Sequence, residues 1–434
     1  MGAGMNILLT GGGTGGHVYP ALALAEAFRR QDAAHRILFV GSHAGMEAAL
    51  VPANGIEFLG LAVRPPRSRA PVRMFLSLAT GIAGLAQAVG VVTRFRPDVI
   101  IATGGIAAAP CVIVGAVLRV PIIVLEGNAI AGRINRLLSR LSRFVAVTSE
   151  ASAARFPTRR TVVTGLPVRR EVYMATREEG VRLYGLDPLR RTVLVLGGSQ
   201  GAARLNSAAE QAVTRLRGRR DLQVIHQVGR GWDGAAGALE ATRVGTVRYI
   251  RVPYLDPIGP AYACADLVIS RCGATVIAEI TACGRAAILV PYRHAAEEHQ
   301  AYNAAPLVAW GAAVLVPDAA LTGEVLAQEI GRILDAPRRL AEMAERSRAL
   351  GHPGAADQLL ELIAGLTRRP AADSRPDAYG MSQDVPPVDR SSARSSGSRR
   401  SWLTPWAQSW LRRRLGLKAQ RHASRTRHEE EAGG

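Results

Sequence analysis

The chain has 434 residues, long enough for two globular cores and a further segment. Hydrophobic residues make up 48% of it, and the formal net charge of +19 points to acidic partners such as nucleotides, nucleic acid or an anionic membrane surface. Its cysteines, Cys111, Cys264, Cys272 and Cys283, form no C-x-x-C pair, which argues against a zinc site or a catalytic thiol and suits buried thiols in a reducing cytosol. The basic charge is nearly all arginine, with Lys418 the only lysine.

The N-terminus runs into the strand-like stretch MNILLT without a charged leader or cleavage pattern, so secretion is not expected. In chain order, residues 6–10 (NILLT) predict a strand, 21–31 (ALALAEAFRRQ) a helix and 36–41 (RILFVG) a second strand. Residues 74–93 have the length of a membrane span. Ser77, Thr80, Gln87 and several glycines dilute that run and arginines flank both ends, so a packed or interfacial helix is expected there. Residues 98–105 (DVIIATGG) read as a strand ending in glycines, 109–120 as a helix, and 121–126 and 144–149 as strands.

The pattern restarts at 192–216 (TVLVLGGSQGAARLNSAAEQAVTRL), and 222–229, 247–255, 266–284 and 286–293 continue the alternation. Continuous apolar strands between helices predict parallel sheets covered on both faces. The expected fold class is therefore α/β, with two successive doubly wound domains meeting near 165–170 (TGLPVRRE in its context). Helices near 323–334, 337–350 and 354–366 close the folded part. Residues 370–400, rich in Ser, Pro, Asp and Arg, read as disordered, and 402–418 sets three tryptophans beside an arginine cluster in the manner of an interfacial membrane anchor.

The stretch from Gly11 to Gly16 carries the spacing G-x-G-x-x-G between a strand and a helix, as dinucleotide sites do. Such sites also need a carboxylate at the end of the second strand. Here that strand ends in Val40, Gly41 and Ser42, and His17 stands where small residues are usual, so NAD(P) is not expected. The bare backbone and the free N–H groups of the following helix still favour an anion. Gly197-Gly198-Ser199-Gln200-Gly201 repeats the device, 270–279 (SRCGATVIAE) supplies a further helix N-terminus with Glu279 about a turn in, and Gly104-Gly105 supplies another glycine turn. Several such turns at strand C-termini in both halves predict a cleft that takes a diphosphate-bearing ligand. No Walker lysine follows any of them, and no DxD or paired Asp/His cluster marks a metal, so neither a metal nor another cofactor is expected.

Four stretches in this order, GGTGGHVYPALALA, GGSQGA, RCGATVIAE and EHQAYNA, are similar to the MurG family of bacterial glycosyltransferases over residues 6 to about 366. The resemblance implies the GT-B architecture: residues 1–165 as a Rossmann-like acceptor and membrane domain, 166–350 as a donor domain, 351–366 as a helix packing back on the first domain, and 367–434 as a basic tail. It implies an inverting transfer of N-acetylglucosamine from UDP-GlcNAc to the 4-hydroxyl of lipid I, giving lipid II for peptidoglycan, at the cytoplasmic face of the inner membrane and without nucleic acid as a partner. Matched by motif, Ser199 and Gln200 would meet the diphosphate and sugar, Ala274-Thr275-Val276 the diphosphate, Glu279 the ribose, Leu255 the uracil, and Gln300 the sugar hydroxyls. Arg169 would offset the diphosphate charge, Asn128 would bind the donor sugar, and Thr14, Gly15 and Gly16 would line the cleft. His17 is the first choice as base, being a side chain that accepts protons near neutral pH, and Glu126 is the competitor. Arg64, Arg67, Arg69 and Arg73 before Met74, Phe75 and Leu76 suit peripheral membrane binding.

The chain departs from the family pattern at Gly127, where glutamine is usual, and at Leu166, where asparagine is common. Two other readings stay open at this level. A UDP-GlcNAc 2-epimerase shares the fold and donor site but needs no membrane face, and a sugar-nucleotide-binding scaffold would need no His17.

Overall fold

The computed structural model describes residues 4–63, 71–156, 160–198, 201–232, 239–292 and 299–367, with side chains of 71–79 and 367 excepted. The expectations placed on Arg64, Arg67, Arg69, Ser199, Gln200 and the tail from 368 therefore fall outside the described residues. For Arg73, Phe75 and Leu76 only the backbone is described.

The first half runs β1 (Asn6–Gly11), α1 (Gly15–Gln31), β2 (Arg36–Ser42), α2 (Glu47–Ala53), β3 (Glu57–Leu61), α3 (Pro71–Phe95), β4 (Val99–Gly104), α4 (Ala109–Val117), β5 (Ile122–Glu126), α5 (Arg133–Leu138), β6 (Phe144–Val147), α6 (Glu150–Ala153) and β7 (Thr161–Val163). After the linker come α7 (Arg170–Met174), α8 (Arg177–Tyr184), β8 (Arg191–Leu196), α9 (Ala203–Arg215), β9 (Leu222–Gln227), β10 (Glu240–Val244), β11 (Val247–Val252), α10 (Gly259–Cys264), β12 (Leu267–Ser270), α11 (Ala274–Ala282), β13 (Ala286–Leu289), α12 (His299–Ala309) and β14 (Ala313–Leu315). Three helices finish the unit: α13 (Gly323–Leu334), α14 (Pro337–Ala349) and α15 (Ala355–Thr367).

Each half is one seven-stranded sheet, in the orders β3-β2-β1-β4-β5-β6-β7 and β10-β11-β9-β8-β12-β13-β14. All pairs are parallel except β10 with β11. The central strands bury both faces. Ile7 and Leu9 of β1 point into one layer with Phe28 of α1, while Leu8 points into the other with Val112 of α4. That two-sided burial is why their sequences are apolar throughout instead of alternating. The edge strands β3 and β10 show the opposite, alternating between exposed and half-buried positions along most of E-F-L-G-L and E-A-T-R-V, and their weak apolar signal explains why the sequence reading passed over them.

The strand orders reverse between β1 and β4 and between β8 and β12, so each sheet has one switch point, where ligands of open α/β sheets bind outside the strand C-termini. The glycine turns Gly12–Thr14 and Gly104–Gly105 occupy the first switch point, and Gly197–Gly198 and Arg271–Gly273 the second. Helix α15 returns to the first half: Leu359, Leu360 and Ile363 are buried in the same cluster as Phe28 and Leu24 of α1. No helix among the described residues is long and apolar enough to cross a membrane.

Candidate active site

At the first switch point the loop Gly12–Thr14 is held from beneath by a residue the motif search had not singled out. Glu47, at the start of α2 and fully buried, accepts the N–H of Gly13 at 3.0 Å with Oε2 and the N–H of Ser42 at 3.0 Å with Oε1. Helix α1 then starts at Gly15 with Thr14 as N-cap, no side-chain cap and no acidic residue in its first turn. Its first N–H groups are thus left for an external acceptor.

His17 lies one turn into α1, half-buried. Its Nδ1 is 2.9 Å from the carbonyl oxygen of Gly12, with Thr14 Oγ1 at 3.4 Å. A carbonyl oxygen only accepts, so Nδ1 carries a proton, and in the neutral imidazole the lone pair is then on Nε2. The imidazole edge has room because residue 104 is glycine. A Cβ there would sit 2.9 Å from His17 Nε2, and the φ of +114° is one that only glycine adopts readily.

Glu126 ends β5 beside this pocket, 2% exposed. Oε1 accepts the backbone N–H of Asn128 (2.9 Å) and its Nδ2 (3.1 Å), and Oε2 accepts Gly132 N–H (2.9 Å) and Asn135 Nδ2 (3.0 Å). Those four donors occupy the lone-pair directions of the carboxylate. Asn128 is likewise committed, since its Oδ1 accepts from Asn303 Nδ2 of the other half at 3.2 Å.

The second switch point supplies α11, whose N-cap is Gly273, again with no side-chain cap and no acid in the first turn. Thr275, 9% exposed, has a buried hydroxyl oxygen without a hydrogen-bond partner. Val276, next along, is half-buried. Thr275 Oγ1 lies 3.9 Å from where a Cβ on Gly16 would stand, so the N-termini of α1 and α11 meet across the cleft. Two positive helix ends facing each other favour negative charge between or beside them. Gly127 also abuts α11: a Cβ on it would lie 3.1 Å from Leu166 Cδ1 and 3.2 Å from Ala274 Cβ. The two departures from the family pattern, Gly127 and Leu166, thus form one tight apolar contact between the halves.

Glu279, on α11, is 6% exposed and accepts the hydroxyl of Tyr262 at 2.9 Å. Burial raises its carboxyl from the ordinary 4.5 to about 7, against the opposing pull of the Tyr262 hydrogen bond and Arg169. Arg169, at the linker, donates to Glu171 at 2.7 Å and stacks its guanidinium 4.8 Å over the Tyr19 ring, while its Nε is buried without a partner. The Tyr19 hydroxyl in turn meets that of Tyr254, over which Arg230 stacks at 4.3 Å. Leu255, the next residue, is buried, and its N–H donates to Gln227 Oε1 at 3.0 Å. Gln300 Oε1 accepts the N–H groups of Cys272 (3.3 Å) and Tyr292 (2.8 Å). Among the described residues no group of His, Cys, Asp or Glu side chains stands ready to hold a metal ion.

The cleft therefore gathers His17, Gly16, Glu126, Asn128, Arg169, Ala274, Thr275 and Glu279 from separate elements. Residues that sequence reasoning missed are Glu47, Asn135, Gln227, Tyr254 and Asn303. Only Asn303 carried a signal, one helical turn beyond Gln300 in the stretch EHQAYNA.

Paired switch points facing one cleft are the plan of a two-domain glycosyltransferase. The profile of the glycosyltransferase family 28 N-terminal domain matches residues 7–147, and that of the family 28 C-terminal domain matches 192–359. Over 366 residues the chain is 38% identical to the UDP-N-acetylglucosamine–N-acetylmuramyl-(pentapeptide) pyrophosphoryl-undecaprenol N-acetylglucosamine transferase of Halothermothrix orenii, covering 83% of this chain and 98% of that one. The Desulforudis audaxviator protein of the same name is 39% identical over 365 residues, 83% of this chain and 98% of its own. The crystal structure of Acinetobacter baumannii MurG matches with a TM-score of 0.63 at 26% identity, covering 83% of this chain and 99% of that one. The chain belongs to the MurG family of glycosyltransferases within family 28.

Proposed function

We propose that this chain transfers N-acetylglucosamine from UDP-GlcNAc to the 4-hydroxyl of the N-acetylmuramyl-(pentapeptide) pyrophosphoryl-undecaprenol acceptor, lipid I, giving lipid II with inversion at the anomeric carbon. The observation that carries this reading is the meeting of two uncapped helix N-termini beside the unpartnered Thr275 hydroxyl, a seat for a diphosphate.

In the reaction the acceptor oxygen forms a bond to the anomeric carbon as the bond from that carbon to the diphosphate breaks. The electron pair leaves with UDP, and the hydroxyl proton goes to His17 Nε2. The Gly12 carbonyl then stabilises the imidazolium through Nδ1–H. Glu126, its oxygens already taken, is a positioning residue rather than a second base. The amides of Ala274, Thr275 and Val276, with Arg169, stabilise the departing charge, and Ser199 and Gln200 are proposed to join them. Glu279 accepts from the ribose hydroxyls. With the Leu255 N–H already used by Gln227, recognition of uracil falls to the Leu255 carbonyl. Gln300, whose oxygen is used, offers its amide N–H groups to the sugar. Asn128, with one amide hydrogen given to Glu126 and one lone pair to Asn303, keeps its second amide hydrogen and second lone pair for the sugar.

The acceptor lies in a membrane, and a surface of the first half suits one. Ile82 and Val89 of α3, Val117 of α4, Leu118, Leu137 of α5 and Leu141 are exposed on adjacent elements, with Arg119, Arg140 and Arg143 exposed among them. Apolar side chains for acyl chains and cations for anionic headgroups favour peripheral binding at the cytoplasmic face of the inner membrane.

Incubation with radiolabelled UDP-GlcNAc and a short-chain lipid I analogue tests the reading. Label moving to the lipid is the expected result. UDP-ManNAc formed without acceptor would instead mark an epimerase, and binding without turnover a scaffold.

A further inference from the structure

Gln300 and Asn303 stand one turn apart at the start of α12, so their amides share a face. Gln300 Oε1 accepts the N–H of Cys272 at 3.3 Å, and Asn303 Nδ2 donates to the carbonyl oxygen of the same residue at 3.1 Å. One helix face thus grips both backbone groups of Cys272, in the loop that leads into α11. Asn303 then crosses the cleft. Its Oδ1 accepts the N–H of Ala129 at 2.8 Å, and its Nδ2 donates to Asn128 Oδ1 at 3.2 Å. A peptide N–H only donates and a peptide carbonyl only accepts, so Ala129 and Cys272 together dictate which way the Asn303 amide faces.

Asn303 is 6% exposed, and these bonds use its oxygen and both its N–H hydrogens. On the far side Asn128 hands the link to Glu126, and the other Glu126 oxygen is held by Asn135. The Asn135 amide and His17 Nε2 both border the position that a Cβ on Gly104 would take, at 3.2 Å and 2.9 Å. A continuous hydrogen-bonded chain therefore runs from the N-terminal loop of α11 to the His17 pocket, and Asn303 is its one crossing point between the halves.

We propose that Asn303 is an interdomain lock and positioning residue, which sets the closed spacing between the diphosphate seat on α11 and the loop 126–132 behind His17. Its kinetic consequence rests on the transferase reading above. Asn303 acts through Cys272, Asn128 and Ala129, and its bonds to the first half exist only when the halves are closed.

Two variants test it, Asn303→Ala and Asn303→Asp. The aspartate keeps an acceptor for Ala129 N–H but turns an anionic oxygen toward Asn128 Oδ1 and the Cys272 carbonyl. Three quantities are compared with the wild-type chain: the radius of gyration by solution scattering, the affinity for UDP by titration calorimetry, and kcat with the lipid I analogue. The expected result is an expanded particle and a kcat lowered about tenfold, equivalent to about 1.4 kcal/mol, with UDP affinity unchanged because Gln300 still holds the Cys272 N–H in the loop leading into α11. Adding Asn128→Ala to Asn303→Ala should expand the particle little further than Asn303→Ala alone, since both remove the same link between the halves. A scattering curve superimposable on that of the wild type, or a UDP affinity that falls as far as kcat, overturns the proposal. Scattering needs no turnover, so a wild-type chain that fails to transfer N-acetylglucosamine sinks the reaction and leaves the lock to be judged by its compactness alone.

Discussion

Replacing Glu279 by glutamine separates the electrostatic cost of this residue from its use. In the folded chain burial raises its carboxyl to about 7, from 4.5 when exposed. Between those values the folded state holds a proton that the unfolded chain has released, so stability declines as pH rises through this window and is unaffected below it. The two values translate to a cost of about 1 kcal/mol at pH 5 and about 3 kcal/mol at pH 8. Glutamine carries no such cost and still offers an oxygen to the Tyr262 hydroxyl. Relative to the wild type, Glu279→Gln should therefore gain about 4–8 °C more in Tm at pH 8 than at pH 5. Scanning calorimetry of both proteins at the two pH values is the assay. The donor KM should move the other way, rising in the variant with kcat little altered, because a neutral amide is a weaker acceptor for ribose hydroxyls than a carboxylate. An equal Tm difference at both pH values would refute the argument that the cleft holds a desolvated carboxylate.

His17→Ala should lower kcat by about 10²-fold or more, with UDP-GlcNAc affinity retained, as expected for loss of a general base; parallel loss of affinity would show that the imidazole serves only to shape the loop. Gly127→Gln should destabilise the chain by about 1–3 kcal/mol through overpacking against Leu166 and Ala274, and Leu166→Ala should recover part of that in a double-mutant cycle of denaturant midpoints. Strictly additive effects would mean that the two side chains do not meet. Val117→Glu with Leu137→Glu should reduce sedimentation with anionic liposomes while leaving kcat on a soluble acceptor analogue unchanged. Undiminished sedimentation would move the membrane face elsewhere on the chain.

Much of the architecture is written locally. The apolar runs of β1, β4, β5, β8 and β12, the glycine turns that follow them and the last helices α13, α14 and α15 announce themselves in windows of a few residues, because strand burial and turn conformation depend on neighbouring side chains. The composition of the turns, bare backbone at strand ends before helix N-termini, is also local, and it is the basis for proposing an anion as the object of the site. Tertiary structure alone decided how those turns are completed. Glu47 reaches the glycine loop across 34 residues, Asn303 reaches Asn128 across 175, and Tyr19 reaches Tyr254 across 235. Such pairings depend on strand order and on how two separately folded sheets come to face each other, and no local periodicity encodes either. The same reason explains why Glu126 and Asn128 read as free ligands in one dimension and prove to be bonded to their neighbours in three. A side chain's donors and acceptors are visible in the sequence, but which of them are already occupied is known only once the chain has folded around them.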